Sequence, residues 1–160
     1  MVKVYTLYLS TQTPAGNINA PLDATNKSAV RWSVNWDALL GFPEDKAANK
    51  RARVTFELSS LSQAGVFTYA ANSGYLAIVG LPNLYSNSQN GLVLGSITPV
   101  NEPVAGGTNH FLSGDTLETR GVETLMPYGY GEITVLLEDR TGNLQPNTLD
   151  YQLILQFEME

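Results

Sequence analysis

GEITVLLED (131–139) and DYQLILQFEME (150–160), joined by RTGNLQPNTL (140–149), decide the fold of this chain. In the second segment Tyr151, Leu153, Leu155, Phe157 and Met159 share one side of an extended chain. Gln152, Gln156, Glu158 and Glu160 take the other, with Ile154 the apolar intruder among them. Side chains alternate across a strand with period two, so the segment is a strand with one buried face and one wet or contact face. The turn-rich joint marks them as successive strands of an antiparallel β domain.

The same alternation recurs upstream. In AVRWSVNW (29–36), Val30, Trp32, Val34 and Trp36 share a face opposite Arg31, Ser33 and Asn35. In RARVTFELSS (51–60), Ala52, Val54, Phe56 and Leu58 point inward while Arg51, Arg53, Thr55 and Glu57 point outward. The run from Val2 to Ser10 is apolar on both faces, as expected of a strand covered on both sides. Shorter strands are predicted at VFTYA (66–70), YLAIVGL (75–81) and LVLGSI (92–97), near His110 to Leu112, and within LETRGVETLMP (117–127). TPAGNINAPLDATN (13–26) reads as a long loop, and Asp37 as the cap of a short helical turn ended by Gly41 and Pro43. About eight strands, one or two short helical turns and long connections predict an all-β fold. Its architecture is an antiparallel β-sandwich of jelly-roll type, a single domain over 1–160.

Composition narrows the function classes. A chain of 160 residues buries roughly 68–70% of its unfolded surface, and with no cysteine it has no disulfide to lean on. MVKVYTLYLSTQT lacks the pattern of a secretory signal, and no apolar run reaches membrane-span length, so a soluble protein made in the cytosol is expected. The net charge of −6 and the scattered Lys46, Lys50, Arg51 and Arg53 leave no basic footprint for direct nucleic-acid binding. Charged residues make up 15% of the chain, against about 25% in soluble domains. A surface built from Thr, Ser, Asn and Gln accounts for that, and so does a surface covered in an assembly.

Signals for chemistry are weak. His110, the single histidine, has Ser113 and Asp115 nearby, but local spacing in a strand-and-loop stretch supplies no held base and no nucleophile elbow. One histidine without cysteine is poor material for zinc. Asp115, Glu118 and Glu102 lack the pattern of a calcium loop. Glu138 and Asp139 are adjacent on a strand and face opposite ways, so they form no acid/base pair. Asp139 instead begins a turn in which Gly142 takes positive φ. Catalytic residues, metal and cofactor are therefore all expected to be none. The sequon Asn26-Lys27-Ser28 is a chance-level match in a chain this rich in Asn, Ser and Thr.

Aromatics offer the main alternative, a carbohydrate-binding β-sandwich stacking sugars on Trp36, Tyr128 and Tyr130. Trp32 shares its face with valines and belongs to the core, whereas Trp36, at the strand end, fits either core or surface.

Taken in order, KVYTLYLS (3–10), VRWSVNWDALL (30–40), RARVTFELSS (51–60), EITVLLEDRTGN (132–143) and DYQLILQFE (150–158) resemble the small single-jelly-roll minor capsid and penton proteins of large nucleocytoplasmic DNA viruses. That resemblance implies a non-enzymatic subunit of an icosahedral capsid, located in the virion. Its partners would be the viral major capsid protein and other capsid proteins, and it would be a homo-oligomer, pentameric if a penton. The expected contacts are the loops 11–26, 43–50, 98–114 and 127–130, the exposed aromatics Trp36, Tyr128 and Tyr130, the outward Arg51 and Arg53, and the row Gln152, Ile154 and Gln156.

Overall fold

In the computed structural model the chain is described for residues 1–41, 50–60, 74–82, 91–101, 109–113, 121–139, 141–145 and 149–160. The strands are β1 (Lys3–Ser10), β2 (Pro21–Asp23), β3 (Ala29–Asn35), β4 (Arg51–Ser60), β5 (Gly74–Val79), β6 (Leu92–Asn101), β7 (Asn109–Ser113), β8 (Val122–Leu125), β9 (Tyr130–Glu138) and β10 (Tyr151–Met159). One short helix, α1 (Trp36–Leu40), follows β3.

Among the described residues all strand pairings are antiparallel. One layer runs β1-β10-β4-β8 and the other β3-β9-β5-β6. Two four-stranded sheets interleaved in this order make a jelly roll. β2 extends the second layer beyond β3. β7 pairs with β6 along its length and touches β4 at Ser59 and Leu112, tying the two layers along one side.

Alternation positions the core. On β10 the odd residues from Tyr151 to Met159 are buried, and across the gap Trp32, Val34, Ile133 and Val135 meet them. Two edge-to-face aromatic pairs join the layers: Trp32 on Tyr151 with centroids 6.3 Å apart, and Trp36 on Phe157 at 5.8 Å. Each such pair adds about 0.5–1.5 kcal/mol beyond its buried area.

Three expectations are corrected here. The helix cap is Asn35, whose Oδ1 accepts the Ala38 N–H at 3.1 Å; Asp37 sits in the first turn and accepts the Gly129 N–H at 2.9 Å. β2 lies inside the stretch read as a loop, because three residues beginning with proline carry no alternation to read. β1 is not covered on both sides: Leu7 and Leu9 are buried, but Val4 and Tyr8 stand 58% and 59% exposed. The strand predicted at 66–70 lies outside the described residues.

Candidate functional site

The outer face of the β1-β10-β4-β8 layer gathers most of the residues expected to make contacts. Because core-facing residues alternate with outward ones, Gln152, Ile154 and Gln156 must share this face with Arg51 and Arg53. The register puts them into rungs. Ser10, Gln152 and Ser59 form one, and Tyr8, Ile154 and Glu57 the next. Thr6, Gln156 and Thr55 follow, and then Val4, Glu158, Arg53 and Glu123.

Each rung has its own chemistry. At one end the face is uncharged and polar, and beside it Tyr8 and Ile154 make a small apolar step. At the other end charges alternate in sign. A shallow depression of about 400 Å³ opens there, lined by Val2, Lys50, Arg51, Ala52, Arg53, Glu123, Glu158 and Glu160. Arg51 reaches Glu123 at 3.8 Å between largely exposed side chains, which contributes about 0–1 kcal/mol. Opposite charges so interleaved balance one another, so the depression is a poor trap for a free anion or cation and a good match for a patterned protein surface.

Tyr128 and Tyr130 are 66% and 80% exposed and lie apart from this face, on the approach to β9. Between them Gly129 takes φ 71°. Its N–H donates to Asp37, and its carbonyl accepts the Trp36 N–H at 2.8 Å. Trp36 itself is 1% exposed and seated on Phe157, so it drops out of the contact set and cannot share a sugar platform with the tyrosines. Its parity with Trp32 and Val34 pointed to the core all along.

A feature that sequence reasoning missed binds the sheet's end to its loops. Asp150 accepts from the Thr11 hydroxyl at 2.7 Å and the Gln12 amide at 3.3 Å, and pairs with the Lys27 ammonium at 2.8 Å. Thr11 Oγ1 in turn accepts the Tyr151 N–H at 3.0 Å. Burial pushes the Asp150 carboxyl up, but bonds from Lys27, Thr11 and Gln12 outweigh it and hold it below the usual range. No local signal marks this knot, since its members are separated by up to 140 positions. Asp139, as expected, organises its own turn, accepting from Thr141 and Asn143 with Gly142 at φ 87°. These bonds, that of the Thr141 side chain foremost, hold its carboxyl low. Glu138, its neighbour, is buried. The sequon's Ser28 is buried too, its hydroxyl donating to the Gln145 carbonyl.

The backbone of His110 pairs with Val100, but its side chain lies outside the described residues, as do those of Ser113, Asp115, Glu118 and Glu102. Of the loops expected to make contacts, 43–49, 102–108 and 114 lie outside them as well. Among the described residues no group of three His, Cys, Asp or Glu side chains is placed to hold a metal ion, and no helix is long and apolar enough to cross a membrane. Compared with protein-family models, curated proteins and solved structures, the chain has no match in any of them.

Proposed function

We propose that this protein is a non-enzymatic structural subunit of an icosahedral viral capsid, a penton or minor capsid protein working through protein–protein contacts. The observation that carries the reading is the outer face of the β1-β10-β4-β8 layer. Gln152, Ile154, Gln156, Arg51 and Arg53 share it with the exposed apolar Val4 and Tyr8. A polar, charge-balanced sheet face with an apolar step resembles the make-up of non-obligate protein interfaces. The jelly-roll order and the likeness of five segments to the small capsid proteins of large DNA viruses support the same reading. In it the partners are the major capsid protein and neighbouring copies, and the protein resides in the virion.

The test is the composition and density of purified particles. The protein should be present in fixed stoichiometry, with a single jelly roll resolved at vertices or between capsomers. Particles lacking it overturn the proposal. A second reading, glycan binding, keeps one observation in its favour, the exposed pair Tyr128 and Tyr130. Saturable binding on a glycan array, abolished by Tyr128→Ala, would establish it instead.

A further inference from the structure

The two layers end in very different edges. β2, which closes one side, is three residues long, begins with Pro21 and shifts register before Asp23. Short, proline-bearing, bulged strands are the usual protection against stray pairing. β1, at the opposite end of the hydrogen-bonded order, has none of these: it is eight residues, regular in register, and free of proline and glycine.

The ladder shows which main-chain groups of β1 face outward. The Thr11 N–H donates to the Tyr151 carbonyl at 3.1 Å, one rung beyond Ser10 and Gln152. Bonded and non-bonded rungs alternate in an antiparallel pair. Leu9, Leu7 and Tyr5 therefore bond to β10, and the main-chain groups of Tyr8, Thr6 and Val4 point away from the sheet. The Tyr8 carbonyl is met there by the exposed Asn19 side chain, at a long 3.4 Å. Val4 and Thr6 meet no partner on that side among the described residues. α1 approaches β1, and Tyr5 and Leu39 pack against the core, while Val4 and Tyr8 stay exposed.

We infer that two copies of this chain join edge to edge through β1, antiparallel about a two-fold axis at Thr6. The sequence of the strand selects both the occupant and the register. Centred on Thr6, the strand is its own complement: Val4 faces Tyr8 of the second copy, Thr6 faces Thr6, and Lys3 faces Leu9 rather than another charge. The Val4–Tyr8 rungs set an aromatic on a β-branched residue, a favourable cross-strand pair. In a bonded rung the two residues exchange both main-chain bonds, so the outward groups of Val4, Thr6 and Tyr8 are satisfied together once Asn19 releases the Tyr8 carbonyl. An axis at Leu7 would set Tyr8 against Thr6 and leave Val4 facing Ser10, losing the apolar pairs. The joined layer would run unbroken from β8 of one copy to β8 of the other, with Tyr8 and Ile154 of each beside the seam. The joint does not depend on the capsid reading.

Sedimentation of the purified chain across a concentration series, together with cross-linking, tests the joint. The wild type should pass from monomer to dimer as concentration rises. Thr6→Pro removes the central outward N–H at an edge position that tolerates proline. It should weaken the dimer at least ~10-fold, the loss of ~1.4 kcal/mol, while keeping the thermal midpoint. Val4→Glu, which leaves the strand's main chain intact, should weaken the dimer likewise, with a small fall in the thermal midpoint because Glu158 lies opposite it. Val4→Glu combined with Tyr8→Lys should restore dimers by pairing opposite charges across the seam. Because the native chain has no cysteine, a short bis-maleimide reads the register. Thr6→Cys should couple to itself, and Val4→Cys should couple to Tyr8→Cys. Val4→Cys should not couple to itself, because two Val4 positions lie four residues apart along the seam, roughly 14 Å. A wild type that stays monomeric overturns the inference, as does a dimer that survives both Thr6→Pro and Val4→Glu, or cross-linking that ignores position.

Discussion

Trp32 sits wholly buried between the layers, edge-on to Tyr151, yet among the described residues its indole Nε1 finds no acceptor. A buried donor left unsatisfied costs about 1–3 kcal/mol, so the side chain holds its place through volume and ring contact alone. Trp32→Ala should cost about 3–5 kcal/mol in urea unfolding, whereas Trp32→Phe, which removes the stranded donor along with part of the ring system, should cost less than half of that. An equal loss in both variants would mean that the indole N–H matters after all. Gly91 is the complementary case, a position where added volume has nowhere to go. It has φ 125°, and a Cβ there would lie 2.6 Å from the Ile78 carbonyl oxygen. Gly91→Ala should destabilise by about 1–3 kcal/mol, the range for a residue forced into such a conformation, seen as a lower urea midpoint with an unchanged slope. Parity made the burial of Trp32 readable in advance. The same rule covered Trp36, and its place at a strand end was weak ground for putting it on the surface. Gly91 was unreadable, since its constraint comes from a carbonyl on the neighbouring strand.

At the level of elements, the connection from β9 to β10 and the first residue of β10 carry groups that respond to pH in both directions. Asp150 and Asp139 have carboxyl groups held low in the folded state. Their stabilisation is complete above the unfolded value of about 3.9 and is lost as pH falls through the lower folded values. Tyr151, next along the chain, has its phenol pushed far up by burial. Its contribution is complete below the unfolded value of about 10 and drains away at higher pH, where the unfolded chain ionises and the folded one does not. A plot of thermal midpoint against pH should be flat between these limits and fall on either side. Asp150→Asn should blunt the acid fall and lower the plateau, because the ion pair with Lys27 is lost; Tyr151→Phe should remove part of the alkaline fall. An acid limb unchanged by Asp150→Asn would show that the knot does not report on folding. The strands themselves were legible wherever one face is buried, as in β3, β4, β9 and β10. They were not legible in β2, which is too short to alternate, nor on the outer side of β1, where Val4 and Tyr8 looked like core residues. A pattern of apolar residues says that a surface wants covering, and it does not say whether the cover belongs to the same chain.

Across the whole molecule, period two separates what holds the fold from what the fold presents. Ile154 and Leu155 are neighbours on β10, one half-buried on the outer face and the other fully buried in the core. Leu155→Ala should cost about 2–5 kcal/mol, a large part of the ~5–15 kcal/mol that holds a domain of this kind together. Ile154→Lys changes a residue flanked by Tyr8 and Glu57 on an open face. Such surface changes usually move stability by no more than about 0.5 kcal/mol, so this variant should melt as the wild type does. In a capsid subunit using this face, Ile154→Lys should nevertheless fail to enter particles, because burying the added ammonium at an interface carries a desolvation cost that pairing with the neighbouring Glu57 does not repay. Tyr130→Ala, at the exposed start of β9 and away from this face, serves as the control and should enter normally. Incorporation of Ile154→Lys at the wild-type level would remove the β1-β10-β4-β8 face from the assembly; if Tyr130→Ala were excluded instead, the contact would shift to the approach to β9.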